Sequence, residues 1–155
     1  MKFLISHRGN IEGPDAQFEN MPQYIDFARS KGYQVEIDVW YDSEYHLGHD
    51  RPDYKISKDW LLERKDWLWC HAKNLEALQH LIQDGMHCFW HQEDQATLTS
   101  KNIIWCYPGN FIKNGIAVMP ENVMSESEIK KMIGKVLGVC TDYPSKFALE
   151  DYNTA

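Results

Sequence analysis

The chain has 155 residues, a length typical of one domain, and we expect a single domain over 1–155. Hydrophobic residues make up 43% of it and charged residues 25%, so it can bury a core and is not of the disordered class. Its net charge of −7 argues against nucleic acid or an anionic membrane surface as the main partner. An anionic substrate would therefore need a local group of cations or a metal ion.

Neither targeting nor disulfide signals stand out in the chain. The apolar run from Met1 to Ser6 is too short for a signal peptide, and no stretch reaches the roughly 20 apolar residues of a membrane span. The four cysteines are far apart and lie in or beside apolar runs, which favours buried thiols. These features predict a soluble, cytoplasmic protein.

The first elements alternate between strands and helices. Phe3–Ser6 is a short apolar run typical of a strand buried on both faces. Pro22 suits the first turn of a helix whose apolar residues recur at helical spacing until Gly32. Residues 33–40 alternate between apolar and polar, which predicts a strand. Ser57 is the predicted cap of a short helix over 57–64.

The alternation continues to the end of the chain. A strand is predicted at 67–72, and Asn74 caps a helix over 75–84 that Gly85 ends. Residues 91–115 lack a helical pattern, so we expect loops alone to join their strands. The remaining predicted elements are strands at 87–90, 103–106, 116–119 and 139–141, and a helix over 126–137 with a capping box of Ser125 and Glu128.

This alternation indicates an α/β fold with a mostly parallel sheet. Periodicity alone does not distinguish a doubly wound open sheet from a closed barrel. In either arrangement, the C-terminal ends of the strands form the functional rim.

Glu36 and Asp38 are two residues apart on a predicted strand, so their carboxylates point to the same side of the sheet. Two acids on a buried strand are costly unless a cation pairs with them. One interpretation is a solvated edge strand or a salt bridge to arginine or lysine. The other is a divalent cation, Mg²⁺ or Ca²⁺, held by hard oxygen ligands. The apolar residues on both sides of the pair favour the metal site.

Two histidines stand near strand ends in the first fifty residues. His7 precedes Arg8 and Gly9, and His49 precedes Asp50. A single histidine at a strand end is more often structural than catalytic. Beside a metal, however, a pair of histidines offers the base and the acid that phosphodiester cleavage needs. The planar guanidinium of Arg8 could grip a phosphate.

A third candidate group lies at the end of the strand predicted at 67–72. His71 and Lys73 are two residues apart and so share one face. His71 could be a metal ligand and Lys73 could bind phosphate. An ordinary surface lysine is an equally good interpretation of Lys73.

These motifs, in their order along the chain, resemble the signature of the glycerophosphodiester phosphodiesterase family. The resemblance rests on His7-Arg8-Gly9, on Glu19-Asn20 ahead of a helix, on Glu36-x-Asp38 and on His49-Asp50. The segment 138–144 is also similar to the closing strand of that family.

The resemblance implies a TIM barrel of the phospholipase-C-like phosphodiesterase type and a place in lipid metabolism. It implies that His7 and His49 are the acid–base pair, that Arg8 contacts phosphate, and that Glu36 and Asp38 bind a metal. The usual reaction of the family is attack by water or a neighbouring substrate hydroxyl on phosphorus, with release of an alcohol.

The chain departs from the family pattern in two respects. The family has Glu-x-Lys on its third strand, whereas the matching residues here are His71-Ala72-Lys73, so the third carboxylate is missing. A histidine there makes the site softer and less anionic, which weakens the binding of Mg²⁺ or Ca²⁺. The 155 residues also fall short of the roughly 250 of a typical TIM barrel. We therefore expect a compact barrel with several outer helices missing or shortened, and a homodimer that covers the exposed strand faces.

The leading hypothesis is a phosphoric diester hydrolase that cleaves a small glycerophosphodiester-like substrate with metal assistance. Two alternatives stay open. One is a lyase of the same superfamily that forms a cyclic phosphate, and the other is a barrel that binds phosphate with little turnover.

Overall fold

The structure, a computed structural model, describes the backbone of residues 1–150 and the side chains of residues 1–148. The predicted domain over 1–155 also includes 151–155, which lie outside the described residues. Within the described part, no helix is long and apolar enough to cross a membrane.

Ten strands of the described chain form one sheet. They are β1 (Phe3–His7), β2 (Gln34–Asp42), β3 (Glu44–Leu47), β4 (Tyr54–Ile56), β5 (Leu68–Ala72), β6 (Cys88–Phe89), β7 (Ala96–Leu98), β8 (Ile104–Cys106), β9 (Gly115–Val118) and β10 (Gly138–Thr141). Each strand predicted from the sequence is present, and β3, β4 and β7 are additional.

Five helices accompany the sheet in the described residues. They are α1 (Pro22–Ser30), α2 (Lys58–Leu62), α3 (Leu75–Gln83), α4 (Glu126–Ile133) and α5 (Pro144–Glu150), with a 3₁₀ turn at Pro120–Asn122. The predicted caps Ser57 and Asn74 and the capping box of Ser125 are confirmed. Helix α4 is shorter than predicted, because the Leu137 N–H already donates to the Gly115 carbonyl of the sheet.

Seven of the strands are parallel. When these seven are taken alone, strands that are neighbours in the sheet are also consecutive along the chain. Their order is β6-β5-β2-β1-β10-β9-β8, in which the last strand also pairs with the first. Strands β3 and β4 add an antiparallel hairpin to the end of β2, and β7 pairs antiparallel with β8. The predicted α/β class with a mostly parallel sheet is therefore confirmed.

The sheet is not closed into a barrel. In the described chain no ladder joins β6 to β7 or to β8. Individual hydrogen bonds cross this gap without forming a ladder. The Ser100 N–H donates to the Cys88 carbonyl at 2.9 Å, the Cys88 N–H donates to Ser100 Oγ at 2.9 Å, and Thr97 Oγ1 donates to the Trp90 carbonyl at 3.0 Å. The prediction that loops alone join the strands within 91–115 is wrong in one respect, since the additional strand β7 lies there, although the described segment has no helix.

The sheet curves strongly around an apolar cluster on one face. Trp105 of β8 lies 5.6 Å from Trp69 of β5 and 4.5 Å from Phe89 of β6, measured between ring centroids. The ladder order separates these strands by most of the sheet, so the contacts require its two ends to approach each other. We call this the concave face; its cluster includes Ile5, Ile116 and Cys140. The helices cover the opposite face in two further clusters.

Candidate active site and metal centre

Six ionisable side chains meet on the concave face at the C-terminal ends of four parallel strands. Side chains alternate along a strand, so the residues two positions beyond the apolar cluster members point the same way. The register places His7 opposite Glu36 and Asp38 opposite His71. The six residues are His7, Glu36, Asp38, His71, Lys73 and Asp142.

The predicted carboxylate pair is buried and incompletely satisfied. Glu36 is 2% exposed and Asp38 is fully buried. Glu36 Oε2 and Asp38 Oδ1 have no hydrogen-bond partner among the residues that the structure describes. Buried polar atoms of this kind are rare in folded proteins, because each loses its hydration without replacement. A solvated edge strand is thereby ruled out for this pair.

The hydrogen bond at the far side of the His71 ring indicates which nitrogen faces the carboxylates. His71 Nε2 lies 2.8 Å from the His91 carbonyl oxygen, which can only accept, so Nε2 carries the proton. In the neutral ring Nδ1 then presents a lone pair. Nδ1 lies 3.5 Å from Asp38 Oδ1 and 3.7 Å from Glu36 Oε1. These acceptors require a proton or a cation between them.

Glu36, Asp38 and His71 therefore form a group that could hold a metal ion. One ligand atom from each residue lies within 4.8 Å of the other two. The unpartnered oxygens and the lone pair on Nδ1 are donors of the type that divalent ions bind. The residues present thus fit a metal ion.

Asp38 is fixed in place by Asn20 and Arg8. Asn20 donates from Nδ2 to Asp38 Oδ2 at 2.9 Å and accepts from the Asp38 N–H at 2.9 Å. Arg8 Nε lies 3.0 Å from the same Oδ2. The salt-bridge interpretation is therefore right for Asp38, closely at Oδ2 and with a longer ion pair at the other oxygen. The other, Oδ1, faces His71 and lies 3.9 Å from Lys73 Nζ.

Arg8 owes its position to an unusual backbone conformation directly after β1. Its φ is +56°, in the left-handed region that few residues other than glycine adopt. The Arg8 N–H donates to the Glu36 carbonyl, and its own carbonyl accepts from the Asn20 N–H. Nη1 lies 3.2 Å from Glu19 Oε2. Its contacts to Asp38 and Glu19 thus run through Nε and Nη1.

His7 is held between two acids. Its Nδ1 lies 2.7 Å from Asp142 Oδ1, which also accepts from Asn10 Nδ2 at 2.8 Å. Its Nε2 lies 3.8 Å from Glu36 Oε2. Burial by itself lowers the pKa of the His7 imidazole, but the hydrogen bond to Asp142 and the charge of Glu36 outweigh it, and the pKa is raised.

Three basic side chains around Glu36 keep its carboxyl ionised. Burial by itself raises the pKa of the Glu36 carboxyl, but His71, His7 and Arg8 surround it, and together they lower the pKa to about 2. The centre of the site therefore carries negative charge throughout the neutral range, as a cation site requires.

The structure places His49 at the edge of the group, apart from its centre. Its side chain is 45% exposed, and its Nδ1 donates to Asp50 Oδ1 at 2.8 Å. The preceding residue is anchored beside the carboxylates: the Gly48 N–H donates to the Asp38 carbonyl, and Trp40 Nε1 donates to the Gly48 carbonyl. In the described chain, no hydrogen bond or ion pair links His49 to His7.

Three residues without a predicted role complete the arrangement: Asp142, Asn20 and Asn10. Asp142 directly follows the last predicted strand, and this position at the rim is the signal that could have singled it out. Asn20 stood in a quoted motif, and its φ of +64° explains why an asparagine suits the turn. Nothing in the sequence pattern points to Asn10.

Comparisons with known proteins add no relative. A scan against protein-family models, a search of the curated proteins and a search of the solved structures each find no match for this chain.

Proposed function

We propose that this protein is a metal-assisted phosphodiesterase that hydrolyses a small glycerophosphodiester-like substrate. The observation that carries the proposal is the contact of His7 with both Asp142 and Glu36, beside a group that could hold a metal ion. A proton-exchanging imidazole next to a divalent ion is the combination that phosphodiester cleavage uses. The order of the motifs and their resemblance to the glycerophosphodiester phosphodiesterase family support it.

His7 is the first proton carrier of the proposed reaction. Because Nδ1 donates to Asp142, the neutral ring offers Nε2 as a base at the substrate side. The raised pKa keeps the protonated form populated near neutral pH, so the same ring can return a proton. Asp142 fixes the ring and stabilises its charged form.

His49 is the second proton carrier. Its Nδ1 is bonded to Asp50, so Nε2 is the nitrogen left for exchange with the substrate. In the proposed reaction one histidine takes the proton of the attacking water or hydroxyl as the new P–O bond forms. The other donates a proton to the leaving alkoxide as the old P–O bond breaks.

Arg8 and Lys73 are the proposed phosphate contacts. Arg8 reaches its acids through Nε and Nη1, which leaves Nη2 to meet a phosphoryl oxygen. The Lys73 side chain is 19% exposed and can turn its ammonium toward solvent. Glu36, Asp38 and His71 would hold the divalent ion, for which Mg²⁺ and Ca²⁺ were the predicted choices. A bound ion there supplies positive charge that stabilises the phosphoryl oxygens in the transition state.

The architecture we propose is a compact (β/α) barrel with a short seam between β6 and β8. The strand order supports it, since the last strand pairs with the first. The absence of a helix in the described segment between β6 and β9 fits the expected loss of outer helices. A weak homodimer and a cytoplasmic location belong to the same proposal; Leu98 of β7, 60% exposed, is the type of residue a dimer would cover. Light scattering that gives a monomer mass at every concentration would contradict the dimer.

The test is hydrolysis of a generic aryl phosphodiester with Mg²⁺, Ca²⁺ or Mn²⁺. We expect metal-dependent release of the aryl alcohol that His7→Ala and His49→Ala each abolish or reduce by roughly a hundredfold or more. The matched control is His46→Ala, which removes an imidazole whose hydrogen bond, among the described residues, is to the nearby Glu44 carbonyl. Activity that survives both site variants would contradict the acid–base assignment.

The phosphorus product separates the alternatives. A ³¹P NMR signal of an acyclic monoester supports hydrolysis, whereas a cyclic phosphate signal would select the lyase. Glycerol phosphate that binds without any turnover, whichever metal is present, would select the phosphate-binding barrel.

A further inference from the structure

We propose that the Glu36–Asp38–His71 group is built for a first-row transition ion such as Mn²⁺, Co²⁺ or Zn²⁺, and that His71 makes this choice against Mg²⁺ and Ca²⁺. The inference rests on the proposed function for the role of the ion, but ion binding itself is measured without turnover.

The donor atoms of the group favour a transition ion. Mg²⁺ and Ca²⁺ are hard ions that bind oxygen ligands almost exclusively. Imidazole nitrogen suits the later transition ions, and affinities for a mixed nitrogen and oxygen site rise from Mn²⁺ toward Cu²⁺. Here one of the three protein donors is the Nδ1 of His71. The three ligands therefore carry two negative charges, whereas three carboxylates would carry three. The lower charge weakens the binding of hard ions most.

The His71 ring is held in the orientation of a metal ligand. Ligating histidines almost always donate their other N–H to a carbonyl or carboxylate, which fixes the tautomer and increases the basicity of the ligating nitrogen. His71 does this through Nε2 and the His91 carbonyl at 2.8 Å. Phe89 stacks on the same ring at a centroid distance of 5.0 Å, which further limits its rotation. The lone pair is thus directed at the carboxylates in advance.

Geometry and burial also suit such an ion. Nδ1 lies 3.5 Å from Asp38 Oδ1 and 3.7 Å from Glu36 Oε1. Neighbouring ligands of a tetrahedral ion bound at about 2.1 Å are roughly 3.4 Å apart, so small movements would complete the site. Asp38 Oδ1 is a buried atom without a hydrogen-bond partner in the described chain, and so is Oε2, the second oxygen of the Glu36 carboxylate. Lys73, at 3.9 Å from Asp38 Oδ1, is too far away to satisfy that oxygen by a hydrogen bond.

The experiment titrates the chelator-treated protein of 155 residues with Mg²⁺, Ca²⁺, Mn²⁺, Co²⁺ and Zn²⁺ in an isothermal calorimeter. We expect the three transition ions to bind at least roughly tenfold more tightly than Mg²⁺ and Ca²⁺. Pulsed EPR of the Mn²⁺ complex should show coupling to one imidazole nitrogen. Equal affinity for all five ions, or tighter Mg²⁺ and Ca²⁺ binding, would overturn the inference.

His71→Glu is the variant that tests the selecting residue, because it supplies the third carboxylate. We expect it to raise Mg²⁺ and Ca²⁺ affinity and to remove the nitrogen coupling of bound Mn²⁺. His46→Ala is the matched control and should leave every affinity unchanged. If His71→Glu does not fold, the five wild-type affinities and the nitrogen coupling still decide the question.

The two proposals can fail separately. Selective binding of transition ions with an imidazole coupling, but no cleavage of any phosphodiester, would uphold this inference and contradict the proposed function. If the protein cleaves a phosphodiester with Mg²⁺ or Ca²⁺ and binds that ion more tightly than Mn²⁺, the proposed function is upheld and this inference is contradicted.

Discussion

Replacement of Asn20 by alanine should destabilise the protein far more than the same change at the exposed Asn114. Asn20 is 1% exposed and has a φ of +64°. Its side chain donates to Asp38 Oδ2 and accepts from the Asp38 N–H, both at 2.9 Å. Alanine removes both bonds and keeps a side chain in an unfavourable backbone conformation.

The magnitude follows from three contributions. A left-handed conformation costs alanine about 1 kcal/mol more than asparagine. The buried Asp38 N–H left without a partner costs about 1–3 kcal/mol, and loss of a hydrogen bond to a charged group costs about 1.5–3 kcal/mol. Part of the last loss is offset because Arg8 Nε remains 3.0 Å from Asp38 Oδ2. The free energy of unfolding should therefore fall by about 3–5 kcal/mol.

Urea denaturation of two further variants separates these contributions. Asn20→Gly keeps the conformation without strain, so it should be about 1 kcal/mol more stable than Asn20→Ala. Asn114→Ala is the matched control, since Asn114 is exposed and has a φ of +67°, and it should lose only about 1 kcal/mol. If Asn20→Ala and Asn114→Ala lose the same free energy of unfolding, the two bonds to Asp38 contribute nothing and the reasoning is wrong.

Two further predictions concern Asp142 and His87. Asp142→Asn removes the charged acceptor of His7 Nδ1, worth about 1.5–3 kcal/mol, so kcat/KM for the aryl phosphodiester should fall roughly tenfold to a hundredfold; an unchanged kcat/KM would contradict the orienting role. Burial lowers the pKa of His87, which is 4% exposed, from the ordinary 6.5 to about 4. As the pH falls, the unfolded chain therefore takes up a proton on His87 before the folded protein does. The free energy of unfolding is unaffected by His87 above pH 6.5. It decreases as the pH falls toward 4, by at most about 3 kcal/mol. Urea midpoints of wild type and His87→Gln should converge over that range, and parallel midpoints would refute this.

The elements that could be predicted are those whose own residues specify them. Asn74 and Ser125 are N-cap residues that predict where their helices begin. The alternation in β2 places its valines and isoleucine on the face opposite the two acids. Strand β7 could not be predicted, because Ala96–Leu98 has three residues, too few for their alternation to indicate a strand. It is a strand only because β8 offers it a hydrogen-bonding edge.

The closure of the sheet depends on contacts that no local pattern contains. Whether β6 meets β8 depends on the length of the segment between them and on which edge β7 occupies. The ring contacts of Trp105 with Trp69 and Phe89 cross this region without a ladder. Residue spacing thus predicts the alternation of strands and helices, but it does not predict whether the sheet closes between β6 and β8.

Part of the candidate site was predictable in its residues, whereas its connections were not. Spacing on one strand is sufficient to place Glu36 and Asp38 on the same side, and the structure agrees. The tautomer of His71, however, depends on the His91 carbonyl, twenty residues further along the chain. The orientation of His7 likewise depends on Asp142, which is 135 residues away. Such long-range partners decide the chemistry and arise only from the strand order.

The arrangement around Glu36 explains why the site can be anionic and still fold. With a pKa of about 2 this buried carboxyl stays charged, and a buried charge without a partner would cost several kcal/mol. Arg8 neutralises one oxygen of Asp38, while the facing oxygens of both acids meet His71 Nδ1. Lys73 Nζ lies 3.9 Å from the facing oxygen of Asp38, and His7 Nε2 lies 3.8 Å from Glu36 Oε2. Basic side chains thus surround both acids, and a divalent ion bound between the acids would add the remaining compensation for their buried charge.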